Sequence, residues 1–206
     1  MTTMLQEEAM LQEEAMLQEK AMSQRTKGVA SARFATSNAV SEQFFGENAD
    51  AIARACHAMA TRFQHGGRMF VCGNGAQRSD VAHVVVEFVH PVVVGKRALP
   101  AIPLPDIEGG DAERALEVLG RDGDLLLLLC VHSLPAAAVG LLASAHSRRL
   151  LTIALTGQGG VRHGGVDHHF AVPSDDAFVV QEIHEMLYHV LWELVHVFGD
   201  HRAVNA

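Results

Sequence analysis

Across residues 37–64 apolar side chains recur every three or four positions in VSEQFFGENADAIARACHAMATRF, the spacing of a helix that buries one face. The pair Gly66-Gly67 stops this pattern, and RMFVCG, residues 68–73, reads as a buried strand. Residues 79–89 return to helical spacing, and KRALPAIPL, 96–104, reads as a second short strand. GDAERALEVLGRDG predicts a short helix ending at Gly120, and LLLLLCV, 125–131, is apolar on both faces, as a central parallel strand is. PAAAVGLLASAHSRR, 135–149, predicts a helix whose basic end meets the negative pole of the helix dipole. LLTIALTG and HHFAVP supply two more strands, and residues 176–199 a long final helix. Strands and helices in alternation predict an α/β fold, a three-layer, doubly wound sandwich with a parallel sheet flanked by helices on both faces. Ligands of such sheets bind beyond the carboxyl ends of the strands, which selects residues 73–79 and 131–135.

Residues 4–21 break this pattern with MLQEEA, MLQEEA, MLQEKA, one six-residue unit written three times. Six residues advance a helix by about 600°, so Met and Leu spiral round the surface and make no single stripe. Residues 1–36 are therefore expected to form a low-complexity extension, helical or disordered and solvated, with partner capture or a coiled-coil arm as the other reading. Residues 37–206 are expected to form the folded domain.

The net charge of -8 opposes a nucleic-acid backbone as partner. No stretch approaches the roughly 20 apolar residues of a membrane span, and the acidic start does not resemble a basic signal peptide, so a cytoplasmic protein is expected. Cys56, Cys72 and Cys130 lack metal-type spacing and read as buried thiols of a reducing compartment.

Candidate chemistry begins at CGNGAQRSDVAHVVVEFVH, residues 72–90. A Gly-Asn-Gly turn lets backbone approach a ligand, and a helix starting there offers free N-H groups to an anion, although a plain strand-to-helix connection looks the same. His83 and Glu87 stand at i and i+4 on one helical face, where they can ligate a metal, share a proton transfer or form a surface salt bridge. In the last helix Gln181 and His189 lie about 80° apart round the axis and can converge on one cavity. His184, His196, His168 and His169 add to thirteen histidines, each more simply structural or solvated, and Trp192 reads as core.

Taken together these segments resemble the SIS (sugar isomerase) domain family, and within it the phosphoheptose isomerase branch, over residues 37–198. The resemblance is carried by VCGNGAQRSDVAHVVVEF, by KRALPAIPL, by LTIALTGQGG, and most distinctively by VVQEIHEMLYHVL. It implies that His83, Glu87, Gln181 and His189 form a metal site, for zinc or another divalent transition metal. It further implies that Glu87 and His189 move protons between C1 and C2 of a sugar through an enediol, as in sedoheptulose 7-phosphate isomerisation. Gly73, Asn74, Gly75, Gln77, Arg78 and Ser133 are the implied substrate contacts, and a homo-oligomer, most simply a tetramer, is the implied assembly.

The departures lie in the anion loops. Ala76-Gln77 and then Arg78 stand where the family has Gly-Ser, and Val131-His132-Ser133-Leu134-Pro135-Ala136 replaces a serine-rich loop, leaving only Ser133 in place. Arg78 either replaces the lost hydroxyls with charge or points to solvent. The segment IPLPDIEGGDAERALEVLG also looks shortened. Two functions follow from this mixture. One is an isomerase of a phosphorylated or otherwise anionic sugar. The other is a non-catalytic metal- or ligand-binding assembly or maturation factor, because EFVHPVVVGKRALPAIPL is similar to a subgroup associated with hydrogenase maturation gene clusters.

Overall fold

The structure is a computed structural model that describes residues 2–91, 93–160 and 165–203. Its elements run α1 (Thr2–Gln64), β1 (Met69–Gly73), α2 (Arg78–Val89), β2 (Ala101–Pro103), α3 (Asp111–Leu119), β3 (Leu125–Cys130), α4 (Ala138–Ser147), β4 (Leu151–Thr156), β5 (His168–Ala171) and α5 (Ala177–Ala203). A single 3-10 turn, Gly75–Gln77, joins β1 to α2.

By contact density the chain divides into two units, Met1–Ala39 and Val40–Ala206. In the first, the repeat and the residues after it are helical, and every described side chain from residue 12 to 36 is exposed. Ala, Leu, Met, Gln and Glu are strong helix formers, so this stretch meets the helical side of the sequence expectation without a buried face. Thr26 and Thr36 turn their hydroxyls back to the carbonyls of Met22 and Ala32, which keeps these poor helix formers hydrogen-bonded within the helix.

In the second unit α1 ends in a glycine cap. Gly66 takes φ 85°, and Gly67 N donates to Arg62 O at 2.9 Å, the six-to-one bond that closes a helix terminus. The five strands are all parallel in the order β2-β1-β3-β4-β5. Period-two alternation sends Met69, Val71, Leu127 and Ile153 into one core layer with the second half of α1, with α2 and with α5. Phe70, Cys72, Leu126, Leu128 and Ala154 enter the other layer with α3 and α4. This is the three-layer, doubly wound sandwich expected from the sequence. Asp124, buried before β3, sets the start of the β1 and β3 pair: it accepts from Arg68 N at 2.8 Å and pairs with the Arg68 guanidinium at 2.7 Å. β2 is shorter than the pattern suggested, since Pro100, Pro103 and Pro105 restrict the ladder to an edge strand. The strand order reverses between β1 and β3, and the loops leaving their carboxyl ends lie side by side there.

Candidate active site

β1 delivers the first loop. Its last residue, Gly73, pairs with Leu129, and a Cβ there would stand 3.0 Å from Leu129 O and from Gln77 Cβ, so only glycine lets the two strand ends and the 3-10 turn pack this closely. Gly75 takes φ 46°, which turns the chain into the helix. Its N-H is already used: it donates to Asp106 Oδ2 at 2.9 Å, while Asp106 Oδ1 accepts from Glu108 N at 2.9 Å. The side-chain oxygen of Asn74 is buried and has no hydrogen-bond partner among the described residues. Gln77 folds inward and is buried, while Arg78 and Ser79 are exposed. The second loop is braced by glycines from β4: Leu134 N donates to Gly160 O at 3.1 Å, and Ser133 lies against Gly159 closely enough that a Cβ there would come 2.9 Å from its own.

The helices deliver the other half. Asp80, His83 and Glu87 fall within about 60° round α2, and Gln181, Glu185, Tyr188 and His189 within about 100° round α5, because residues three, four, seven and eight apart share a helical face. α2 packs on α5, and the two faces meet. Glu87 Oε1 stands 3.4 Å from His83 Nε2 and 3.8 Å from His189 Nε2, and donor atoms of the three residues all lie within 4.8 Å of one another. The two imidazole rings are 5.3 Å apart at 70°. Glu87 is the most enclosed of the three, with a side chain 18 % exposed against 38 % and 43 % for the histidines.

Gln181 Nε2 donates to Asp80 Oδ1 at 2.9 Å, which fixes the amide and leaves its oxygen as the acceptor to be used elsewhere. The other Asp80 oxygen is buried without a partner among the described residues, and burial, the largest cause, raises the Asp80 pKa above the ordinary carboxylate value while the Gln181 bond acts against it. Tyr188 lies 2.9 Å through its hydroxyl from His83 Nδ1, and its pKa is pushed up by burial first and then by the carboxylates of Glu185, Asp80 and Glu87. Behind them His184 is buried, its Nε2 against the carbonyl of Thr156 at 3.2 Å, and burial holds its pKa down to about 4. Thr156 in turn bonds His169 Nε2 at 2.8 Å.

The donor set fits a borderline divalent ion. Donors round a tetrahedral zinc sit about 3.4 Å from one another, given metal-ligand distances of about 2.0 to 2.2 Å. The separations of Glu87 Oε1 from the two Nε2 atoms are already of that size. Two imidazoles and a carboxylate suit zinc better than calcium or magnesium, which take oxygen shells. The same carboxylate between two imidazoles is equally able to take a proton from carbon while a neighbouring ring serves an oxygen. Of the residues singled out in the sequence, His83, Glu87 and His189 come together, Gln181 reaches this face through Asp80, and the loop residues stand at the strand ends. Asp80 was given no role in the sequence reading, and Glu185, Tyr188 and Asp106 escaped it. Helical spacing from His83 and His189 signals the first three, and nothing in the local sequence signals Asp106.

Comparison with known proteins places the chain in a family. A family model for the SIS domain matches residues 32–157. The chain belongs to the SIS domain family. Within it the chain is of the phosphoheptose isomerase-like kind: it is 31% identical over 169 residues to the phosphoheptose isomerase of Thermodesulfovibrio yellowstonii, across 76% of this chain and 84% of that one. An Escherichia coli phosphoheptose isomerase is 32% identical over 161 residues, covering 72% of this SIS-domain chain and 84% of its own. The solved phosphoheptose isomerase of Francisella tularensis superposes with a TM-score of 0.69 at 25% identity, over 81% of this chain and 95% of that chain. Among the described residues no helix is long and apolar enough to cross a membrane.

Proposed function

We propose that this SIS-domain protein interconverts an aldose and a ketose that carry a phosphate or another anionic group. The observation that carries this reading is Glu87 Oε1 held 3.4 and 3.8 Å from two imidazole nitrogens on facing helices. In the proposed reaction the Glu87 carboxylate removes the proton from one of the two carbons and returns it to the other. His189 gives a proton to the carbonyl oxygen and takes one from the adjacent hydroxyl, so the enediol forms and collapses without net gain or loss of protons. His83, Glu87, Gln181 and His189 would hold zinc or another divalent transition metal, which supplies positive charge against the negative charge of the enediol stage. Asn74, with a buried side-chain acceptor that lacks a partner among the described residues, suits a sugar hydroxyl, and Gly73, Gly75, Gln77, Arg78 and Ser133 line the approach of the anion.

The relatives named above are isomerases, which favours turnover over the assembly-factor reading. Burial pushes all three cysteine thiols up to about 12, and such unreactive free thiols accord with a reducing, cytoplasmic setting. A homotetramer with residues 37–206 as its SIS domain accords with apolar side chains left exposed on both site helices, Val86 on α2 and Phe178, Met186 and Val197 on α5. A light-scattering mass near one 22.2 kDa chain at micromolar concentration overturns that assembly. The function is tested by incubating zinc-loaded protein with sugar phosphates in heavy water and following deuterium at C1 and C2 by NMR. Metal-dependent interconversion of aldose and ketose is expected, with deuterium entering wherever the Glu87 proton exchanges with solvent, and the absence of both with every phosphorylated aldose and ketose from four to seven carbons overturns the proposal.

A further inference from the structure

We infer that Tyr188 is a positioning residue for His83, selecting which imidazole nitrogen faces Glu87 and His189. The inference rests on the metal-site reading above and adds to it a residue outside the four. Tyr188 is 1% exposed, and its ring is locked edge-on against both histidines, 5.3 Å from His83 at 76° and 5.0 Å from His189 at 76°. A ring so enclosed fixes the place of its hydroxyl, 2.9 Å from His83 Nδ1. Glu185 Oε1 also faces Nδ1, but at 3.6 Å, outside hydrogen-bond distance, and from a side chain 49% exposed. Tyr188 is therefore the partner that decides the state of Nδ1.

The hydroxyl allows two arrangements that differ by one proton shift. If Nδ1 carries the proton, it donates to Tyr188 Oη, and Nε2 presents its lone pair toward Glu87 and His189, the form that binds a metal. If Tyr188 donates instead, Nδ1 is the acceptor, and Nε2-H points at Glu87 Oε1 as a plain hydrogen-bonded pair. Metal ligation selects the first arrangement, and the buried hydroxyl oxygen is what makes it available without leaving Nδ1-H unsatisfied. Partners in this position orient the ring and raise its basicity as a ligand, and losing one typically costs 10- to 100-fold in metal affinity.

The experiment compares the full chain with Tyr188→Phe, which keeps the ring packing and removes the oxygen. Zinc affinity is read by chelator competition, the cobalt(II) form by its visible absorption, and the His83 tautomer by long-range ¹⁵N-¹H NMR, with His83→Ala marking complete loss of the ligand. Tyr188→Phe is expected to bind zinc 10- to 100-fold more weakly, to alter the cobalt spectrum, and to hold a smaller share of the Nδ1-H form of His83 than the parent in the metal-free protein. Glu185→Gln is the contrast and is expected to change affinity less than about threefold, as an exposed and more distant group. Zinc binding by the parent with equal affinity and the same tautomer in Tyr188→Phe overturns this inference alone. No zinc binding by the parent overturns the underlying site reading. If Tyr188→Phe does not fold, the zinc-loaded parent decides through its His83 Nδ1-H, and an Nδ1-H that exchanges with solvent without protection overturns the inference.

Discussion

Around His83 the site is held by side chains on two packed helices, whereas around Gly75 it is held by loop backbone whose donors are partly taken by the protein itself. On the helical side a carboxylate and two imidazoles converge at 3.4 and 3.8 Å, with Asp80 and Tyr188 tied behind them. On the loop side the Gly75 amide, which a free turn offers to an anion, is bonded to Asp106, and Gln77 is buried. A helix fixes the mutual position of residues on one face, so the proposed proton-transfer and metal groups keep their geometry when loops change. A loop recognises its ligand through individual amides and hydroxyls, so a few substitutions rewrite it. In the proposed reaction the chemistry and the specificity are thus separable.

The hardest blow to that comparison comes from substituting one residue on each side. Glu87→Gln removes the proposed base and one metal donor while keeping the shape, and is expected to lower kcat/KM by about 10² to 10⁴, the usual contribution of a positioned base. Arg78→Ala, on the loop side and exposed, is expected to lower it by less than about fivefold, since exposed charges contribute about 1 kcal/mol or less. Steady-state kinetics on the metal-loaded proteins decides. An Arg78→Ala loss as large as that of Glu87→Gln would mean that the loop side carries the chemistry as well.

Much of the helical side was legible before the fold was known. The i and i+4 spacing of His83 and Glu87, and the eight-position step from Gln181 to His189, put each pair on one face of a helix, and the alternation of strands and helices pointed to the strand ends. Helical spacing puts Asp80 and Tyr188 on the same faces, but their roles were not legible, because they arise only through the packing of α2 on α5. Asp106 was further out of reach: it follows an edge strand of three residues, bounded by prolines, and its bond to Gly75 spans 31 positions of sequence. The repeat at the start suggested disorder as readily as helix, since a six-residue period gives no buried stripe. Helix propensity alone decided for the helix.

Acid titration sharpens the same comparison at the level of stability. His184 is buried behind the helical side with Nε2 on the Thr156 carbonyl, and burial holds its pKa at about 4 against an ordinary value of 6.5. The unfolded chain therefore binds a proton as the pH drops through 6.5, while the folded chain resists until about 4, so the contribution is complete above 6.5 and is lost as the pH falls toward 4. The gap corresponds to about 3 kcal/mol. His169, whose pKa burial also lowers, acts in the same direction. Urea unfolding at pH 7.5 and 4.5 is expected to show a smaller acid loss in His184→Gln than in the parent, by about 2 to 3 kcal/mol. Parallel pH profiles for the two proteins would mean that His184 is solvated or protonated in the folded state.

The smallest expected effect falls on the loop side, where Asp106 takes the Gly75 amide at 2.9 Å. An anion approaching the Gly-Asn-Gly turn meets this carboxylate as a like charge, and at a separation of about 7 Å with an effective dielectric constant between about 40 and 80 the repulsion is about 1 kcal/mol per negative charge. Asp106→Asn removes the charge while keeping an oxygen for the Gly75 amide. Its new amide nitrogen must then face Glu108 N, where Asp106 Oδ1 now accepts, so some loop order is given up. The net expectation is a modest gain: inorganic phosphate, read as a competitive inhibitor of turnover or by calorimetry, should bind roughly three- to tenfold more tightly to the variant. If KM for the sugar rises more than about tenfold and phosphate binds no better, Asp106 is holding sugar hydroxyls, and the loop side is as purposefully built as the helical one.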